Sequence, residues 1–303
     1  MMKNKIDFKN IFRLATSTAG IRSERKSGLK RIGLILAVAL FPVGSASADI
    51  FTTANIGGVD VEIRRGDNSA NPLIIFSHGM GSCPGSTDGI QSRLADAGYI
   101  IVAPKHVDCA TGSTTPDVPW GDPEDWNDQS NSNRRDDIHA VLDALPTSSF
   151  AQYVDDFNSI GCMGHSMGGY TCMGVAGAWS SWNRTEIDAV AALSPWHKPF
   201  MVQDQVAYMT NVDTLFQGGT LDNPITADLT KAGGTYDQTL PSKCMQVFNR
   251  AGHSAWTDGA LSSRFHNEMG YYLISFFDAS LKNGNPADLL VKKSRVKTLE
   301  CEL

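Results

Sequence analysis

Between residues 49 and 282, short apolar runs alternate with segments whose apolar positions recur at helical spacing. The runs at 59–64, 73–77, 99–103, 159–163, 189–194, 214–217 and 243–249 predict strands. Several are continuously apolar rather than alternating, as befits strands covered on both faces of a parallel sheet. Between them, 89–97, 134–145, 167–178 and 263–281 carry helical patterns. Strands and helices in alternation predict a three-layer α/β domain with a mostly parallel central sheet and helices on both faces. One stretch breaks the rhythm. Residues 107–133 are rich in Asp, Pro, Ser, Thr, Asn and Gly, and a connection of that length is usually functional or mobile.

The chain ahead of this region is of a different kind. Arg22, Arg25, Lys26, Lys30 and Arg31 precede the apolar run 32–43, and Ala46-Ser47-Ala48 follows it. A basic stretch, a short apolar run and a small-residue site predict a secretory signal cleaved near Ala48. The apolar run falls short of the ~20 residues that a membrane span needs, which disfavours an anchor. No cysteine lies near the cleavage site, which disfavours a lipoprotein. Residues 49–303 are then a single domain, secreted or periplasmic.

Composition sharpens this reading. A chain 42% hydrophobic and 19% charged is neither disordered, nor collagen-like, nor a multi-span membrane protein. Nine of the 26 Lys/Arg but two of the 32 Asp/Glu lie in residues 1–48, leaving 17 basic against 30 acidic residues. So acidic a body argues against nucleic acid or an anionic membrane as a partner, and a monomer is expected. All six cysteines (Cys83, Cys109, Cys162, Cys172, Cys244 and Cys301) fall in the exported part. Export and an even count predict disulfides. Cys162 and Cys172, in apolar surroundings, also fit buried free thiols. No spacing suggests zinc or a redox pair, and no acidic loop suggests calcium, so neither metal nor cofactor is expected.

The strongest chemical signal is Gly164-His165-Ser166-Met167-Gly168-Gly169. It places G-x-S-x-G between a strand pattern and a helix of small residues. A chain reversing there has no room for side chains at the glycines, and it holds the serine strained with its hydroxyl exposed. The following helix N-terminus aims amides at developing negative charge. A serine needs a base and the base an orienting acid, in the chain order Ser, acid, His. His253, just past the last strand pattern, is the candidate base. His266 lies in a helical pattern, and His197 follows a different strand as a pocket-wall candidate. Asp222, after 214–217 and Gly218-Gly219, is the candidate acid, with Asp228 as runner-up. Asp213 precedes its strand, at the wrong edge of the sheet. Ser77-His78-Gly79-Met80-Gly81 follows an early strand, so the amides of Met80 and Met167 form the candidate oxyanion hole. His78 reads as a residue that shapes this loop by hydrogen bonding.

These segments resemble a known family. The run Gly164–Gly169, together with Leu193-Ser194-Pro195-Trp196-His197, is similar to motifs of bacterial cutinases and polyester hydrolases, a branch of the α/β-hydrolases. The positions of Asp222 and His253 match that branch too. The resemblance implies a serine ester hydrolase with Ser166, Asp222 and His253 as its triad. It also implies Trp196, His165 and Met80 at the substrate, although Trp196 equally fits core packing. His78-Gly79-Met80-Gly81 and the long 107–133 segment, running into Arg134-Arg135-Asp136-Asp137-Ile138, resemble instead dienelactone-hydrolase-like and platelet-activating-factor-acetylhydrolase-like esterases. In this fold's usual strand order the third and fourth strands are neighbours, which implies a Cys83–Cys109 disulfide. Trp120 and Trp126 would either line an open groove with Trp196 or belong to a lid. The expectation is an ester hydrolase acting on short-chain esters or polyesters. The rival is a hydrolase fold that binds without catalysing.

Overall fold

The continuous apolar runs form the parallel centre of a nine-stranded sheet. A computed structural model describes residues 49–259 and 262–303. The expected leader, residues 1–48, lies outside the described residues. The strands are β1 (Ile50–Ile56), β2 (Val59–Arg65), β3 (Leu73–Ser77), β4 (Ile100–Pro104), β5 (Ile160–His165), β6 (Ile187–Leu193), β7 (Asp213–Gly219), β8 (Lys243–Phe248) and β9 (Val296–Glu302). Their spatial order is β1-β2-β4-β3-β5-β6-β7-β8-β9. From β4 through β8 the pairings are parallel. β1, β2 and β9 pair antiparallel at the two margins.

The alternation within each strand builds the layers. Leu73 and Ile75 face one core, which also takes Ile138 and Val141 of the helix Ser132–Ala144 and Tyr170 and Met173 of the helix Met167–Met173. Ile74 and Phe76 face the other core, with Ile90 and Leu94 of Asp88–Asp96 and Met269, Leu273, Phe276 and Phe277 of Ser263–Leu281. Because neighbouring strands point the same way, the loops that follow β3, β5, β6, β7 and β8 gather at one sheet edge. Open α/β sheets place their sites at that edge.

Two strands were not foreseen. β1 and β9 alternate exposed and half-buried positions, Ile-Phe-Thr-Thr-Ala-Asn-Ile and Val-Lys-Thr-Leu-Glu-Cys-Glu, and so lack the apolar run of a covered strand. Each is held by a neighbour: β1 by the tight turn at Gly57-Gly58, and β9 by the Cys244–Cys301 disulfide at a paired position of β8 and β9. Cys83 and Cys109 are bonded as the strand order implied, with Cα atoms 4.8 Å apart. Cys162 and Cys172 correct the free-thiol reading. The helix after β5 doubles back on the strand, brings their Cα atoms to 5.5 Å, and the two are bonded.

Residues 107–133 are anchored at several points, although many of them are exposed. They include the short helix Val107–Thr111 and the turn Pro123–Asp125, and Trp126 is only 1% exposed. Gln203 Nε2 donates to the carbonyls of Trp126 and Pro123 at 2.8 and 3.1 Å. Asn131 N donates to Asp117 Oδ2 at 2.6 Å. No helix among the described residues is long and apolar enough to cross a membrane.

Candidate active site

Ser166 sits on the reversal between β5 and the helix Met167–Met173 with φ +56° and ψ −117°, a conformation that costs a non-glycine residue energy. The glycines around it are a steric necessity. A Cβ on Gly164 would overlap the backbone of Gly168, and one on Gly168 would overlap the carbonyl of Ser77. The turn can therefore close only if both are bare. Ser166 N is tied to Leu193 O at 3.0 Å, and Ser166 O accepts from Trp196 N at 2.9 Å. The serine is thus fixed to the loop after β6 as well as to its own strand.

The loops after β7 and β8 bring the other two candidates together. Ser166 Oγ lies 2.9 Å from His253 Nε2, and His253 Nδ1 lies 3.1 Å from Asp222 Oδ1. Asp222 is buried at 4% side-chain exposure, whereas His253 is 39% exposed. These contacts suit a hydroxyl that donates to Nε2 and an Nδ1–H that donates to the carboxylate, the arrangement a general base requires. Asp228 turns elsewhere. It pairs with Lys231 at 2.7 Å and Lys198 at 3.8 Å. Asp213 opens β7, at the far edge.

A fourth side chain joins them, one that sequence reasoning missed. Ser194, buried and at φ +45°, donates its hydroxyl to Asp222 Oδ2 and lies 2.9 Å from His253 Nδ1. It therefore bridges acid and base. The only cue was its place beside Pro195-Trp196, which reveals nothing of a contact with residues 28 and 59 positions away.

A cleft of about 400 Å³ opens on Ser166 and His253, walled by Trp120, Gly121, Trp196, Pro224, Ile225 and Lys198. Trp196 serves both readings at once. It is 8% exposed and packs edge-on to Trp120 at 5.0 Å and beside Trp126 at 5.8 Å, yet it forms part of the wall. Trp126 lies behind the wall, buried. His165 departs from expectation. Being the last residue of β5, it points into the core below the site. Its Nε2–H donates to His253 O at 2.8 Å, and burial, then the neighbouring His253, press its pKa down to about 4. It braces the base rather than lining the cleft. His197 likewise is buried, donating from Nε2 to Ile225 O at 3.1 Å and accepting from Thr235 Oγ1 at 2.5 Å. It steadies the cleft wall from behind. His266 sits in the helix Ser263–Leu281, 3.8 Å from Asp258.

Residues 45–129 match the family described as platelet-activating factor acetylhydrolase, isoform II. The match takes in β1 to β4, the Met80 loop and most of the 107–133 segment, and it ends before Ser166. No curated protein matches the chain. Sheet order, the strained turn at Ser166 and this match converge. The chain has the α/β-hydrolase fold.

Within this hydrolase fold a second cluster, unforeseen as a unit, lies under the Met80 loop. Ser77 Oγ is 2.9 Å from His106 Nε2, and His106 Nδ1 is 2.8 Å from Asp137 Oδ2. Ser77 and His106 are fully buried, and burial holds His106 well below its ordinary pKa. His78 is buried beside them. Its Nδ1–H donates to Gly79 O at 2.8 Å, while Nε2 accepts from His106 N at 3.1 Å. Burial, with His106 and Arg134 nearby, lowers its pKa to about 3. His78 thus shapes the loop, as its position suggested. Met80 stands half-buried in that loop, and Met167 supplies the first N–H of the helix after Ser166.

Proposed function

We propose that this protein is a secreted or periplasmic serine carboxylic-ester hydrolase acting on small, short-chain esters. The observation that carries the reading is the unbroken chain from Ser166 through His253 to Asp222, open at its serine end to the cleft. In the proposed reaction Ser166 Oγ attacks the ester carbonyl as its proton passes to His253 Nε2. Asp222 holds the imidazolium by Nδ1–H. The amides of Met80 and Met167 take the tetrahedral oxyanion, and one such donor is typically worth ~10²–10³ in rate. The alcohol departs with the proton from His253, and a water deprotonated by the same nitrogen releases the acyl group. Three disulfides suit an oxidising compartment.

The family match over residues 45–129 favours a small-ester esterase of the acetylhydrolase kind over a polymer hydrolase. The polyester reading rests on the aromatic wall of an open cleft, since tryptophans bury large area and stack offset on rings. A panel of p-nitrophenyl esters assayed beside a polyester film separates the two. Short-chain esters should be hydrolysed well and the film weakly, and Trp196→Ala should hurt the film reaction more than the small-ester reaction. Equal losses on both substrates would remove the polymer reading. Failure of a fluorophosphonate to label the protein would sink the hydrolase reading in favour of a binding module.

A further inference from the structure

If the Met80 amide takes the oxyanion, something must hold it still, because that residue stands in a loop with no strand or helix hydrogen bonds of its own. The anchoring is unusually dense. Gly79 O accepts from three donors: Ser82 N at 3.1 Å, His78 Nδ1 at 2.8 Å and Arg134 Nη2 at 3.3 Å. His78 O accepts from Arg134 Nη1 at 2.7 Å. On the far side of Met80, Gly81 N donates to Asp108 Oδ2 at 2.7 Å, and the same oxygen receives Arg134 Nη2 at 2.7 Å. The Cys83–Cys109 disulfide closes the loop just beyond.

Arg134 is the hub of this arrangement. It is 1% exposed, and a buried guanidinium is costly unless its partners are well placed. Its fork reaches two successive carbonyls and a carboxylate, which a lysine's single ammonium cannot do with the same geometry. The peptide between Gly79 and Met80 is planar and trans, so its C=O and N–H point in opposite directions. Three donors on Gly79 O therefore turn the Met80 N–H away from the Arg134 cluster. Among the described residues that N–H has no hydrogen-bond partner. Gly79 itself lies against the nucleophile turn, since a Cβ there would come 3.6 Å from Ser166 Cβ. A cation on the carbonyl also draws electrons through the amide and makes its N–H a stronger donor.

We propose that Arg134, acting with Asp108 and His78, is a positioning residue of the oxyanion hole that fixes and polarises the Gly79–Met80 peptide. The proposal rests on the ester-hydrolase reading. Arg134 touches no substrate. Its effect is transmitted through one peptide group, so it belongs to the transition state and not to ground-state binding.

The test compares Arg134→Lys, Arg134→Met and Asp108→Asn with the wild type. The measurements are kcat and KM on p-nitrophenyl butyrate, the inhibition constant of a short alkyl boronic acid that forms a tetrahedral adduct on serine, and the melting temperature. Both Arg134 variants should lose ~10²-fold in kcat, as for deletion of an oxyanion donor, with KM changed by about twofold or less. Boronate affinity should fall in step with kcat, and Asp108→Asn should lie between. If Arg134→Met does not fold, Arg134→Lys and Asp108→Asn carry the comparison. A variant that melts earlier but keeps wild-type kcat and boronate affinity below its transition would overturn the proposal, since that is the behaviour of a purely structural residue. A wild type that neither cleaves the ester nor binds the boronate would instead overturn the hydrolase reading, and the proposal with it.

Discussion

Two Ser–His–Asp chains run through the same end of this sheet. In the first, Ser166, His253 and Asp222 are joined at 2.9 and 3.1 Å. In the second, Ser77, His106 and Asp137 are joined at 2.9 and 2.8 Å. By distance alone the two cannot be told apart. Their burial runs in opposite directions. The first hides its acid and opens its serine and imidazole to a cleft, whereas the second hides its serine and histidine and leaves its acid 26% exposed. Ser166 is strained on a turn ahead of a helix N-terminus. Ser77 ends a covered strand, and its hydroxyl also faces Arg134 Nη1 at 3.4 Å. A hydrogen-bonded relay becomes a candidate for catalysis only where a carbonyl can reach the serine. Without access, the same three side chains brace a loop.

The largest expected effect breaks or keeps this distinction outright. Ser166→Ala should lower kcat by at least ~10⁴-fold and abolish fluorophosphonate labelling. Ser77→Ala should still label, at Ser166. Labelling lost in Ser77→Ala but kept in Ser166→Ala would mean that the chains have been assigned the wrong way round.

A smaller effect is expected within the open chain. Asp222→Asn should cost ~10³-fold, less than Ser166→Ala, because it upsets the tautomer of His253 while leaving the nucleophile. An inactive Asp228→Asn beside an unaffected Asp222→Asn would reverse the choice of acid. Ser194→Ala and Ser194→Gly should each cost about tenfold in kcat, in line with the ~1–1.5 kcal/mol of a lost hydrogen bond. Glycine accepts the +45° φ without strain. If Ser194→Gly keeps full kcat while Ser194→Ala does not, the backbone conformation matters and the hydroxyl does not.

The effects of pH fall on stability rather than on rate, and they mark the buried side of the comparison. His78, His165 and His197, with pKa values lowered to about 3, 4 and 4, and His106, lower than normal, are all neutral in the fold chiefly because burial disfavours their charge. Their unfolded forms take up protons below about pH 6.5, so stability is full above that pH and is lost as pH drops towards 4. Asp137 runs the other way. Burial raises its pKa to about 6, so its carboxyl favours the fold when protonated and opposes it as pH rises through 4 to 6. Denaturant melts of the wild type and Asp137→Asn should therefore draw together as pH falls from 6 to 4. A constant gap would mean that Asp137 titrates normally.

Much of this molecule was legible before any fold was known, and the legible parts share a cause. The covered strands announce themselves because most of their residues are apolar and run without alternation. The turn at Ser166 announces itself because its sterics are settled within five residues, Gly164 to Gly168. Asp222 and His253 could be chosen by asking which acid and which histidine follow a strand at the correct edge. β1 and β9 were silent because a strand at the sheet margin, half in water, looks like polar chain.

What the sequence determined by itself was local: the strands, the helices, the glycine-flanked serine and the order in which its candidate partners follow. What only the tertiary structure decided was which distant polar groups meet. Ser194 reaches His253 across 59 residues, His165 reaches the carbonyl of His253 across 88, and Arg134 reaches His78 and Gly79 across 56 and 55. Side-chain hydroxyls, imidazoles and guanidinium groups carry no periodic signal, and each has several possible partners. Which partner each one finds depends on the order in which strands lie side by side, and burial then enforces the choice, because a polar group left unpaired in the core is costly.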